Sequence, residues 1–214
     1  MKYYIDLGAN IGSTLDKAMQ LWGDEIDLFI GFEPVLKCLN KMKRKYKNQK
    51  KVKVISNAVG TKNKKTKFYL WEVKKKYLSI TTEGSSLFPR KKGHENIFVK
   101  QIDFSKYIIN NFKKDDYIIL KIDIEGKEYD LLEHMIKTGS ISYINKIYCE
   151  WHLKRSCGRE WNQNKHDEEW LLKQTNRHDK LILDLNKLGF VLTGKNCDDE
   201  FSELIKKEKY EILY

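Results

Sequence analysis

Short apolar runs of strand length alternate along the chain with longer stretches of helical spacing. Residues 3–7 (Tyr-Tyr-Ile-Asp-Leu) are an apolar, aromatic run that leads into Gly8-Ala9-Asn10-Ile11-Gly12. Leu15, Ala18, Met19 and Trp22 then recur at the spacing of one buried helix face, which predicts a helix over 13–22 ending near Gly23. A second run, 26–32, ends in Gly31-Phe32-Glu33-Pro34. Pro34 cannot extend that strand but suits the first turn of a helix. A helix over 35–47 would carry Val35, Leu36, Leu39 and Met42 on one side and lysines on the other. Residues 52–56 form a third strand, from which Asn57-Ala58-Val59-Gly60 turns away. This βαβαβ order predicts a doubly wound parallel sheet.

Residues 61–100 interrupt the pattern. A strand is expected over 68–71, lysine clusters flank it, and 81–89 is polar and small around Ser85-Ser86-Leu87. So long an irregular connection is more often functional than idle. A short strand (97–102) and a short helix (104–112) follow. The parallel pattern then resumes with a strand over 117–122, closed by Asp123-Ile124-Glu125-Gly126. A helix over 128–137 turns Leu131, Leu132 and Met135 inward and stops at Gly139. The next strand, 144–151, leads to Glu150-Trp151-His152 and a polar loop over 155–167. A long helix (168–188) ends at Gly189, and 190–193 and 210–213 read as two final strands.

Composition narrows the class. The 214 residues are 41% hydrophobic and 33% charged with two prolines, which fits one domain over 1–214 without a linker. Its cofactor-binding half is expected at 1–60, and its acceptor-site elements at 78–100 and 120–170. No apolar run approaches the roughly 20 residues of a membrane span. The early first strand leaves no room for a signal peptide, so a cytoplasmic location is the expectation. Cys38, Cys149, Cys157 and Cys197 form no Cys-x-x-Cys pair and read as buried or free thiols. The net charge of +11 favours an anionic partner. Yet of 41 basic residues only Arg44, Arg90, Arg155, Arg159 and Arg177 are arginine, the residue that nucleic-acid surfaces favour. Nucleic acid is therefore the weaker expectation.

Ligands of open α/β sheets bind beyond the carboxyl ends of the strands, near the switch in strand order. The predicted ends carry Asp6, Glu33, Asn57, Asp123 with Glu125, and Glu150 with His152. Any one could be a cap; Asp123, for example, could cap the helix after it. Glu33 is placed to accept both hydroxyls of a ribose. The glycine turn lacks the full dinucleotide spacing and the lysine of a phosphate-binding loop. An acidic turn beside a ribose-binding acid fits a nucleoside with a cationic tail, such as S-adenosylmethionine.

Residues 6–12 (Asp-Leu-Gly-Ala-Asn-Ile-Gly) with Phe32-Glu33-Pro34 resemble the first two motifs of class I S-adenosylmethionine-dependent methyltransferases. Residues 120–128 (Leu-Lys-Ile-Asp-Ile-Glu-Gly-Lys-Glu) resemble the signature of the FkbM-type branch, and the likeness takes in 57–60 and 85–87. The resemblance implies a Rossmann-like fold: a mostly parallel seven-stranded sheet, helices on both faces and an antiparallel last strand. It also implies methyl transfer mostly onto hydroxyls, often of sugars. The leading expectation is an O-methyltransferase acting on a sugar of a glycan or glycoconjugate. An RNA or other small-molecule methyltransferase, or an inactive binding module, is the alternative.

On this resemblance, Gly8, Ala9, Asn10 and Gly12 bring backbone to the methionine part of the cofactor and Asp6 orients its amino group. Glu33 holds the ribose, and Asn57 and Ala58 lie near the adenine. Asp123, Glu125, Glu150 and His152 would orient and deprotonate the acceptor oxygen, with His152 the natural base on pKa grounds. The alternative for His152 is a histidine merely hydrogen-bonded at a strand end. Asp123 and Glu150, on neighbouring strand ends, could hold Mg²⁺ or Mn²⁺; a metal-free site is the equal alternative. Ser85, Ser86 and Trp161 are acceptor-side candidates, with Arg155 and Arg159 near Trp161.

Overall fold

A computed structural model describes residues 1–70, 85–87, 96–157, 163–192 and 203. In chain order the elements are β1 (Lys2–Leu7), α1 (Ser13–Trp22), β2 (Leu28–Phe32), α2 (Leu36–Lys45), β3 (Val52–Ile55), β4 (Ala58–Gly60), β5 (Lys64–Tyr69) and β6 (Asn96–Asp103). There follow α3 (Phe104–Asn111), β7 (Tyr117–Ile122), α4 (Glu128–Thr138), a 3₁₀ turn (Ser140–Tyr143), β8 (Lys146–Cys149), α5 (Leu153–Ser156) and α6 (Glu168–Lys187).

Five strands form one parallel sheet in the order β3-β2-β1-β7-β8. Strand order reverses at β1, whose neighbours are β2 and β7, so the switch point lies at the centre of the sheet. Strand alternation divides the side chains between two apolar layers. Tyr4, Phe29 and Ile119 pack under α1 and α2 against Leu15, Ala18 and Met42. Ile5, Leu7, Ile118 and Leu120 face the other way, against Phe104 and Ile108 of α3, Leu131 of α4 and Leu181 of α6. The result is the expected Rossmann-like α/β architecture with helices on both faces.

The strand count differs from the expected seven. Among the described residues the main sheet has five strands, and three others form a separate sheet, β4-β6-β5. Residues 58–60, expected as a turn, instead begin it as β4, parallel to β6. Gly60 permits this, because a Cβ there would meet the Gln101 side chain at 2.4 Å. β5 pairs antiparallel with β6, and Phe68 and Val99 close a small core with Ala58, Val35 and Cys38.

Phe190 to Leu192 do not form the expected strand. Gly189 adopts φ 91° and the Phe190 N–H bonds to Leu185 O at 3.1 Å, so Phe190 closes the end of α6 in the manner of a glycine C-cap. Thr193 and residues 210–213, where an antiparallel last strand was expected, lie outside the described residues, as do Arg159 and Trp161. Cys38 and Cys149 are buried and Cys157 is half-buried. Among the described residues no helix is long and apolar enough to cross a membrane.

Candidate active site

A cleft opens at the carboxyl ends of β1, β2 and β7. One wall carries Gly8, Asn10, Glu33, Asn57 and Ala58, and an adjoining one Asp123, Ile124 and Glu125. Phe68, Ser85 and Leu87 close the side formed by the small sheet. The structure thus gathers into one cavity expected residues that lie as far apart as 8 and 125 in the chain.

The glycine turn is fixed by backbone contacts. The N–H groups of Gly8 and Ala9 both bond to Phe32 O, at 3.1 and 3.0 Å, and that of Gly12 bonds to Ala9 O at 2.7 Å. The Asn10 N–H donates to Glu33 Oε2 at 3.0 Å. These N–H groups are therefore engaged within the protein. Gly8 has φ +88°, and a Cβ on it would lie 1.9 Å from the Asp123 carbonyl oxygen, so only glycine lets β1 and β7 end so close together. Gly12 serves another purpose. It has φ +85°, a Cβ there would meet the Tyr46 hydroxyl at 2.4 Å, and that hydroxyl donates to Gly12 O at 2.7 Å. Ala9 is buried in the α1–α2 core. Neither Ala9 nor Gly12 lines the cleft.

Glu33 is buried at its bottom. Its Oε1 accepts the Val35 N–H at 2.7 Å and its Oε2 the Asn10 N–H at 3.0 Å, which leaves a lone pair on each oxygen for further donors. Burial pushes its carboxyl pKa up to about 8 against the pull of those two bonds. Ser85 lines the cleft, whereas Ser86 is buried and pairs backbone-to-backbone with Tyr69 of β5.

Asp6 does not line the cleft. Its register partner on β7 is Lys121, and the alternation of the strands sends both side chains to the α1–α2 face together with that of Asp123. Lys121 Nζ lies 3.3 Å from Asp6 Oδ1 and 3.3 Å from Asp123 Oδ2, with Lys121 and Asp6 both buried. The Asp6 carboxylate thus meets an ammonium inside the protein. Lys121 received no role in the sequence reading, although a lysine within an otherwise apolar strand is itself a sign of a buried partner.

A second acidic cluster lies past the ends of β7 and β8. Glu128 is fully buried; its carboxylate accepts the N–H groups of Ile124 at 3.1 Å and Gly126 at 2.9 Å. It thereby shapes the 123–127 loop, in which Glu125 holds the left-handed φ of 59°. His152 Nδ1 faces Glu128 Oε1 at 3.0 Å, and its Nε2 faces Glu150 Oε1 at 3.1 Å and Glu125 Oε2 at 3.7 Å. Burial alone would lower the imidazole pKa, but its bonds to Glu128 and Glu150 win and push it up to about 10. At neutral pH both nitrogens are donors, so in this arrangement His152 has no lone pair with which to act as a base. Its ring instead lies between the carboxylates of Glu125, Glu128 and Glu150. Glu128 also received no role in the sequence reading. The signal available was an acid three residues after Glu125, at the start of a helix, where it can fold back on the preceding loop.

Asp123, Glu128 and His152 offer ligand atoms within 4.8 Å of one another, while the Glu150 carboxylate faces His152.

A doubly wound α/β protein with an acid-lined cleft at its switch point is the class defined by this fold and site. A family model for the methyltransferase FkbM domain matches residues 6–192. The chain belongs to the FkbM methyltransferase family. Among solved structures, the crystal structure of methyltransferase FkbM from Methylobacillus flagellatus KT is similar at 16% sequence identity and a TM-score of 0.40. The similarity covers 64% of this chain and 30% of that one, so the chain spans under a third of that protein's length. No curated protein matches the chain.

Proposed function

We propose that the protein transfers a methyl group from S-adenosylmethionine to a hydroxyl of a sugar in a glycan or glycoconjugate. The observation that carries this reading is the one cleft joining Glu33 and Asn10 on one wall to Asp123 and Glu125 on the other. The cofactor fits the first wall. Two ribose hydroxyls can donate to the two Glu33 oxygens, each of which retains a lone pair, while Asn57 and Ala58 border the adenine. Asp123 and Glu125 then face the acceptor. A sulfonium donor already carries a good leaving group, so transfer to an alcohol chiefly needs an in-line oxygen and acceptance of its proton. With His152 held as an imidazolium, proton acceptance falls to Asp123 or Glu125.

The proximity of Asp123, Glu128 and His152 supports a second form of the site, in which these three hold Mg²⁺ or Mn²⁺. Such a cation would take over the charge now supplied by the imidazolium, and His152 would bind it as the neutral ring. Bound there, a metal supplies Lewis acidity that lowers the pKa of a sugar hydroxyl.

The test is transfer of tritiated methyl from S-adenosylmethionine to a panel of glycans, RNA and small phenols. Label on a sugar hydroxyl is the expected result; label entering RNA and no sugar defeats the sugar assignment. Cofactor binding with no transfer to any acceptor points to a binding module. Repeating the assay after EDTA treatment, and again after restoring Mg²⁺ or Mn²⁺, decides the metal. Full activity after thorough chelation rules it out.

A further inference from the structure

We infer that Lys121 is a positioning residue of the reaction, one that ties the acceptor-side carboxylate of Asp123 to the strand bearing the cofactor turn; this rests on the methyltransferase reading above. Asp123 is fastened to β1 at three points. Its N–H donates to Leu7 O at 3.0 Å. Its carbonyl oxygen sits against Gly8, where a Cβ would lie only 1.9 Å away. Its carboxylate is reached by Lys121 Nζ at 3.3 Å, and the same ammonium lies 3.3 Å from Asp6 of β1.

The first two contacts fix only backbone. Lys121 fixes the side chain, the part of Asp123 that an acceptor would meet. Burial makes this arrangement specific: Lys121 is 2% and Asp6 0% exposed, whereas the Asp123 side chain is 26% exposed. A fully buried anchor therefore holds a carboxylate that reaches the cleft. Buried charges in such a triad keep their places, because separating one from its partner in a dry interior is costly. The bland alternative is that Lys121 does no more than neutralise Asp6 in the core.

The paired substitution Asp6→Asn with Lys121→Met separates the two accounts. It removes both buried charges at once and so avoids the unpaired carboxylate that Lys121→Met alone would leave in the core. If Lys121 positions Asp123, the double variant folds and binds S-adenosylhomocysteine within about threefold of wild type, but its kcat falls at least about tenfold, as small displacements of a reacting group do. Its crystal structure then has the Asp123 carboxylate moved from its wild-type position. Wild-type kcat, an equal loss of cofactor affinity and turnover, or an unmoved Asp123 carboxylate overturns the inference. Calorimetry on the wild type keeps the two claims apart. Absence of S-adenosylhomocysteine binding there rejects the methyltransferase reading, while the position of Asp123 in the double variant still decides what Lys121 does.

Discussion

The two walls of the cleft are held by different forces. On the side of Gly8, Asn10 and Glu33, the geometry comes from backbone: peptide N–H groups closing on Phe32 O and on a buried carboxylate, and glycines where no side chain fits. On the side of Asp123, Glu125 and His152 it comes from charged side chains, with Lys121 between two acids and His152 among three. The first wall is a rigid cast, whereas the second can be retuned by a proton or a cation. On the function proposed above, a cofactor of constant shape would meet the first and a variable acceptor the second.

The largest effect is expected where the two walls touch. Gly8→Ala must move the Asp123 carbonyl from a 1.9 Å overlap while the residue keeps a φ of +88°, and should cost about 3 kcal/mol of stability. Urea unfolding measures this; a loss below about 1 kcal/mol would show that β1 and β7 part more easily than a cast should. Next is Glu33→Ala. Removing the acceptor of two backbone N–H groups and of the proposed ribose should weaken S-adenosylhomocysteine binding roughly 10- to 100-fold. Calorimetry that finds equal affinity in the variant defeats the ribose assignment.

A smaller effect tests whether the backbone-built wall also titrates. The Glu33 carboxyl is raised from 4.5 to about 8 by burial, and hydroxyl donors favour its ionised form. Binding therefore expels a proton below pH 8. Affinity for S-adenosylhomocysteine should rise with pH, by up to about tenfold per unit, and level off above about 8. Flat affinity from pH 6 to 9 would falsify this linkage.

The smallest effect concerns the charge-built wall. The His152 pKa is raised from 6.5 to about 10, so its pairing contributes stability fully present below pH 6.5 and lost as pH rises through 10. In chelator-treated protein, wild type should melt a few degrees above His152→Gln at pH 6.5. That gap should close towards pH 10, and a gap independent of pH contradicts the imidazolium assignment.

Legibility in the sequence follows the same line between the walls. The strands and helices of residues 1–55, the glycine turn and the acids at the strand ends all appear in local pattern, because period, glycine and proline placement act over a few residues. The small sheet was read in part: strands near 68–71 and 97–102 were anticipated, but not that β4 would leave the main sheet to pair with β6. That pairing joins residues some 43 positions apart, Ala58 with Gln101 and Gly60 with Asp103, across a connection with no periodic signal. Glu33, Asn57, Asp123 and Glu125 line the cleft, whereas Asp6, Ala9 and Gly12 do not.

By itself, then, the sequence determined the five strands of the main sheet, in what order acids follow them, and hence where a ligand could bind. Tertiary structure alone decided what those acids face. Asp6 meets Lys121 only because β1 and β7 are neighbours in that register, and His152 becomes a cation only because the ends of β7 and β8 and the start of α4 crowd Glu125, Glu128 and Glu150 around it. A charge state depends on all neighbours within a few ångströms, and those neighbours come from strands far apart in the chain.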